Sequence, residues 1–200
     1  LQEIQATTDH SSATAFDPLS ALSHANPLAH LDRHCPEQKS LTIAGRPFRR
    51  FWFDATPYTS SYLFMPDQGE NLPDTTSLAL VLRFSGPFDS RSHEEVLRQR
   101  LDEGQCPRLL LIEGPSHKNE QGAQEFQLPN HRPHIWNDAL LTCRRILNAH
   151  AIKSLSLDLY LNAPALLALR LGLDLDRGRR FNLHQYDRCT NGYCKIDFRS

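Results

Sequence analysis

Three short aliphatic runs, each leading into a stretch with helical spacing, constrain the fold of this chain more than any other feature. The first is Leu78-Ala79-Leu80-Val81-Leu82-Arg83-Phe84, closed by Ser85-Gly86-Pro87. Next, Ser92-His93-Glu94-Glu95 has the spacing of a capping box, with Ser92 as cap and Glu95 reaching back. A helix follows through Val96, Leu97 and Leu101 to the stop at Gly104. Arg108–Glu113 is the second run, and Ile135–His150 repeats apolar residues at the helical period. In the third run, Leu155, Leu157, Leu159 and Leu161 alternate with Ser156, Asp158 and Tyr160. Asn162-Ala163-Pro164 then opens an apolar helix from Ala165 to about Leu175. Phe181–Tyr186 and Tyr193–Phe198 read as strands joined through the hairpin signal Asn191-Gly192. Strands alternating with helices predict an α/β fold, a mostly parallel sheet with flanking helices.

The first part of the chain is less regular. Leu41–Ala44, Phe48–Phe53 and Tyr62–Met65 are short strand candidates separated by Gly45, Pro57 and Pro66, and a polar loop runs from Asp67 to Ser77. Residues 1–40 read as a linker or N-terminal helical segment, with Leu19, Leu22, Leu28 and Leu31 interrupted by Pro27. Leu1-Gln2-Glu3-Ile4 has neither an initiator Met nor a signal-peptide pattern, as expected of a piece cut from a longer protein. The domain reading is a 1–40 segment followed by one domain over 41–200, divided into an irregular 41–76 and a Rossmann-like 77–200.

Charge narrows the function classes. The 200 residues carry a formal net charge of −1, which argues against a protein that coats duplex nucleic acid. A small anionic ligand in a locally basic pocket is compatible with it. No apolar run approaches the ~20 residues of a membrane span. The cysteines Cys35, Cys106, Cys143, Cys189 and Cys194 include no C-x-x-C pair and are expected as free thiols. Cys189 and Cys194 flank a turn across which they would be able to meet.

In open parallel sheets, ligands bind beyond the carboxyl ends of the strands. There the sequence offers Ser85-Gly86, Gly114-Pro115-Ser116 with Lys118, Asn162-Ala163-Pro164, and Tyr186 with Arg188. Small residues permit close backbone approach, a helix N-terminus offers amides to phosphate, and Lys118 and Arg188 add positive charge. The same Gly and Pro residues also serve simply to end strands. Arg46-Pro47-Phe48-Arg49-Arg50-Phe51-Trp52-Phe53 interleaves cations with rings. As a strand it puts Phe51 and Phe53 on one face and Arg50 and Trp52 on the other. One face would feed the core and the other either a ligand or solvent. Gly114 to Pro133, polar and uneven, is expected as a long irregular loop suited to a lid or an assembly surface.

Other chemistries find little footing. His30, His34 and Cys35, and the pair His131 and His134, match no zinc spacing. There is no G-x-S-x-G elbow, no G-x-x-x-x-G-K-[ST] loop, and no G-x-G-x-x-G after a strand.

Leu157 to Gly172, an apolar strand, a small-residue–Pro turn and an Ala/Leu helix, resembles the signature of the SAVED family. Asn182 to Tyr186 with Tyr193 to Phe198 looks like that family's closing strand pair, and Ser77 to Gly86 is similar to its earlier strand-and-glycine element. The resemblance covers roughly 77–200. It implies two fused CARF-like, Rossmann-type halves, the first reduced here to a short stretch without its own strand–helix repeat. It also implies a sensor of cyclic oligonucleotides in bacterial antiphage CBASS defence, cytoplasmic and without a cofactor or metal of its own. Such sensors are fused to effectors, and an HNH–SAVED endonuclease is the expected parent, touching DNA only through the effector domain. Ligand binding would drive self-association and switch the effector on.

The expected ligand is a cyclic dinucleotide such as a cGAMP isomer, or a trinucleotide. Amides near Asn162, Ala163, Pro164, Ser85 and Gly86 would meet phosphate, Arg50, Lys118 and Arg188 would neutralise charge, and Trp52, Tyr58 and Tyr186 would stack on bases. No residue is assigned a catalytic role. Two rivals stay open: a CARF-like ring nuclease that cleaves its ligand, and a protein-interaction module docking through Ile135–His150.

Overall fold

The structure is a computed structural model that describes residues 38–67, 77–87, 92–103, 108–148, 156–174, 181–187, 189 and 192–196. Its centre is built from the three aliphatic runs. Strand β4 (Ser77–Arg83) is buried at every position after the first, and β6 (Leu109–Glu113) at every position before the last. Strands without a polar face must be covered on both sides. Together with β9 (Ser156–Asn162) and β10 (Phe181–Asp187) they form four parallel strands in the order β6-β4-β9-β10.

The helices α1 (Ser92–Asp102), α2 (Pro133–Asn148) and α3 (Ala165–Asp174) connect them. Side-chain alternation along the strands decides which face each helix covers. Leu78, Leu80 and Leu82 join Leu110, Ile112, Leu157 and Leu159 under Ile135, Ala139, Cys143 and Ile146 of α2 and Leu167 and Leu171 of α3. Ala79 and Val81 join Leu109, Leu111 and Tyr160 under Val96 and Leu97 of α1 on the opposite face. The chain therefore moves from β4 to β6 across one face, then returns past β4 to β9 across the other. Right-handed crossovers require this change of face when the direction reverses. The topological switch point lies between β4 and β9.

The remaining strands make the sheet mixed. β1 (Gln38–Ile43), β2 (Arg46–Ala55) and β3 (Ser60–Pro66) form an antiparallel meander whose last strand pairs antiparallel with β6. At the β1–β2 turn both Ala44 (φ 50) and Gly45 (φ 77) are left-handed, the twist a two-residue hairpin demands. β11 (Gly192–Lys195) returns antiparallel beside β10 as expected, but Gly192, expected in the turn, is already paired opposite Asp187. The finished sheet has eight strands in the order β1-β2-β3-β6-β4-β9-β10-β11. The residues 41–67 thus enter as a meander on the edge of one continuous sheet, with no strand–helix repeat among the described residues.

The stretch 114–133 departs from expectation. Part of it is a hairpin of β7 (Ser116–Lys118) and β8 (Gln124–Gln127). Asn119 organises its turn, with Oδ1 accepting from the Gln121 and Ala123 amides at 3.1 and 2.8 Å. Strand β5 (Ser85–Pro87), the continuation of β4 past Phe84, leaves the main sheet to pair with β8, which completes a second, three-stranded sheet. Segments of three or four mostly polar residues carry no readable period, so their pairing is visible only in three dimensions.

At the amino ends of the parallel strands, a buried ion pair joins Arg100 of α1 to Asp158 of β9. Ser77 Oγ accepts from Arg100 at 3.1 Å and Asp158 accepts from Asn182 at 2.7 Å. Among the described residues, no helix is long and apolar enough to cross a membrane.

Candidate functional site

At the switch point the exits of β4 and β9 touch. The Phe84 amide donates to the Asn162 carbonyl at 2.7 Å, and Ser85 Oγ donates to Asn162 Oδ1 at 3.2 Å. Gly86 adopts φ 87, and a Cβ there would lie 3.2 Å from Asn162 Nδ2. The exit of β6 joins from the other side: the Gly114 amide donates to the Arg83 carbonyl at 2.9 Å. A Cβ at Gly114 would come within 2.7 Å of the Phe84 ring. Both glycines therefore answer a local need, one for a left-handed backbone and one for space.

The neighbouring turns extend this edge. The Pro115 carbonyl accepts from the Gln127 amide at 3.4 Å, and the Pro164 carbonyl accepts from Ala168 at 3.1 Å as α3 begins. Ala163 packs against the main core. Ser116 and Lys118 are exposed on β7, where Ser116 and Gly86 flank Phe126 from opposite sides. Ser85, Gly86, Gly114, Asn162 and Pro164 are thus gathered at one edge, while Lys118 stands two residues further out on the hairpin.

The aromatic residues expected to stack are divided. The face assignment along β2 holds for Phe51 and Arg50: Phe51 enters the main core, while Arg50 lies over the Tyr62 ring at 5.2 Å on the α1 face, and the Phe53 side chain lies outside the described residues. Trp52, half-buried opposite Tyr62, shares that face by alternation, and a bulge follows it. Tyr58 sits in the β2–β3 turn, 5.2 Å from the His134 ring and against the main core on the α2 face. Trp52 and Tyr58 therefore do not share one stacking site, because the sheet lies between them. The turn that carries Tyr58 is pinned to α2, with Asp138 accepting from Thr56 and, at 3.2 Å, from Thr59, whose hydroxyl is 3.0 Å from that of Thr142. The Tyr186 backbone lies at the carboxyl edge in register with Tyr193. Arg188 lies outside the described residues, as do the Gly104 helix stop and the pair His30 and His34.

One cluster at this edge has no role in the sequence reading. Arg83 and Glu113 end adjacent parallel strands in direct register, and Arg83 Nη1 meets Glu113 Oε1 at 2.7 Å. The Arg83 side chain is only 2% exposed and that of Glu113 19%. Arg83 Nη2 donates to His93 Nδ1 on α1 at 3.2 Å, and its guanidinium lies 5.4 Å from the centre of the Phe126 ring. Burial pushes the Glu113 carboxyl above its ordinary range, against the pull of the Arg83 and Arg50 charges. A signal was available in sequence: an arginine inside an aliphatic run needs a partner if it is buried.

A second titratable group lies two strands beyond β4, on β10. His184 stacks on Tyr160 with ring centres 4.3 Å apart, and burial lowers its pKa. Among the described residues no group of three or more His, Cys, Asp or Glu side chains is arranged to hold a metal ion. Among the described residues Cys143, Cys189 and Cys194 form no disulfide. Compared with known proteins, the chain matches no family model and no curated protein sequence.

Proposed function

We propose that this chain is a SAVED-type sensor that binds a cyclic di- or trinucleotide at the carboxyl edge of its sheet and passes the signal to a fused effector in bacterial antiphage defence. One observation carries the reading: Ser85 and Gly86 meet Asn162 at the switch point of a Rossmann-like sheet, with Gly114 against Phe84 on the β6 side, at the edge where α/β proteins place their ligands. Gly86 and Gly114 let the strand exits close on Asn162 and Phe84, and α3 starts just after Asn162 with its first amides at the same edge. Arg50 and Trp52 supply charge and a ring on the α1 face. The binding role assigned to Tyr58 is the weaker part, since its ring is spent on His134 and the core.

Two stacked bases at about 1–3 kcal/mol each, with a few charge-assisted contacts, reach the roughly 8 kcal/mol that micromolar affinity requires. The ligand is bound rather than turned over, and binding favours self-association. The outer face of α3 supports the last point: Leu166, Leu169 and Leu173 are 68%, 64% and 72% exposed. These leucines flank the exposed Arg170, and apolar side chains gathered on one outer face favour cover by a second copy. Most of the apolar face of α2, by contrast, is packed on the sheet, which weighs against Ile135–His150 as a docking helix, although Leu141 is exposed.

Titration calorimetry of the full chain with a panel of cyclic di- and trinucleotides tests the proposal. Saturable heat from one of them, weakened at least tenfold by Asn162→Ala, is expected, with the ligand recovered intact by chromatography. Heat from none overturns the sensor, and linear product converts it into a ring nuclease.

A further inference from the structure

We propose that Arg83 and Arg50 form an anion seat on the α1 face of the switch point, that Glu113 occupies this seat as an internal plug, and that a phosphate oxyanion of the ligand takes the place of the Glu113 carboxylate. This deepens the sensor reading and rests on it for the ligand class.

The geometry begins with Arg83, the last residue of the first parallel strand and immediately before the Phe84-Ser85-Gly86 exit. Its side chain is 2% exposed, yet it stands at the edge where ligands enter and not among the apolar residues of the sheet centre. Two partners set the plane of the guanidinium: Phe126 lies 5.4 Å away from β8, and His93 Nδ1 accepts at 3.2 Å from the start of α1. His93 is itself packed on the Phe64 ring, with centres 4.8 Å apart. Glu113 takes Nη1 at 2.7 Å. An arginine fixed in this way offers a planar, pre-oriented fork to an oxyanion, the geometry that phosphate and carboxylate share.

The charge count favours exchange. Two guanidiniums, Arg83 and Arg50, act on the one carboxylate of Glu113. The carboxylate is partly desolvated, which costs its ionised form free energy and weakens its hold on Arg83. Arg50 lies on β2 level with Leu109 at the start of β6, its guanidinium is carried over the Tyr62 ring, and from there its charge acts on Glu113. Glu113 directly precedes Gly114-Pro115 and the β7–β8 hairpin, so its departure from Arg83 would be felt in the element whose β8 strand pairs with Ser85–Pro87. Occupation of the seat is thereby tied to the small sheet over the switch point.

The test uses inorganic pyrophosphate as probe, titrated by calorimetry into the full chain as wild type, Glu113→Gln and Arg50→Gln, with circular dichroism to check the fold. Glu113→Gln keeps the shape of the plug and removes its charge, and we expect it to bind pyrophosphate at least tenfold more tightly than wild type. Arg50→Gln, at a half-buried position, should bind at least fivefold more weakly. A purely structural ion pair would lower the stability of Glu113→Gln and leave its affinity for the probe unchanged, and that result overturns the plug. If Glu113→Gln does not fold, Arg50→Gln decides, and unchanged affinity there overturns the seat. Absence of binding to wild type and both variants up to 10 mM probe (about the weak limit the method reads, near 3 kcal/mol) overturns it as well. Cyclic nucleotides serve as the second arm. Pyrophosphate binding with the expected ranking but no cyclic nucleotide binding keeps the seat and removes the sensor. Cyclic nucleotide binding at equal affinity in wild type and Glu113→Gln keeps the sensor and removes the plug.

Discussion

Gly86 and Asn162 are locked against each other across the switch point: the glycine turns with φ 87 directly over the Asn162 amide, leaving 3.2 Å where a Cβ would stand. The exit path of the first parallel strand therefore depends on a residue seventy-six positions later in the chain. Gly86→Ala has to adopt a left-handed backbone and push on Asn162, so it should lower stability by about 1–2 kcal/mol. Urea unfolding measures this, and an unchanged midpoint would mean that the exit of β4 relaxes freely.

Gly114 presents the harder case. An added Cβ would meet the Phe84 ring at 2.7 Å, and that ring is fully buried. Overpacking of this kind costs about 1–3 kcal/mol. Gly114→Ala should unfold at lower urea than wild type, and Gly114→Ala with Phe84→Leu should regain part of the loss. A double variant no better than the single one would show that the contact is not the cause.

Asp158 compensates Arg100 in the interior and also holds Asn182. Removing one partner of a buried pair typically costs about 3–5 kcal/mol, because the remaining charge stays buried. Asp158→Ala should destabilise the chain by that amount in denaturant unfolding. A loss below 1 kcal/mol would place the pair in a far more hydrated setting.

The pH dependence follows from His184. Burial lowers its pKa below the ordinary 6.5, so protonation is harder in the folded chain than in the unfolded one. The imidazole's contribution to stability is complete above 6.5 and is lost as pH falls through the lower folded value. Glu113 works in the opposite sense: its raised carboxyl contributes fully below 4.5, and that contribution is lost as pH rises through its folded value. Urea midpoints of wild type and His184→Gln between pH 7.5 and 5 separate the two. The wild type should lose more on acidification than the variant, and parallel curves would remove His184 as the cause.

The Thr56, Thr59 and Asp138 contacts pin the β2–β3 turn to α2, on the α2 face of the sheet, across from Arg50 and Trp52. Hydrogen bonds to a charged group contribute about 1.5–3 kcal/mol. Asp138→Ala should therefore destabilise by that amount and leave the affinity for pyrophosphate unchanged. A change in affinity would link the turn to the seat.

Periodicity and turn chemistry were enough to read the parallel strands, their three helices, the closing hairpin and the alternation that puts Arg50 and Phe51 on opposite faces. These are local properties, since aliphatic runs and a proline before α3 each act within a few residues. The polar edge residues Ser85, Gly86, Gly114 and Asn162 were also legible, because strand ends in such sheets are where small residues are needed. The short strands β5, β7 and β8 were not, for three or four polar residues bear no period. Nor was the meeting of Arg83 with Glu113, or the parting of Trp52 from Tyr58 by the thickness of the sheet. Those depend on which strands become neighbours and on which face each turn comes to rest. Strand order is set by long-range packing between covered faces, and no short stretch of residues contains it.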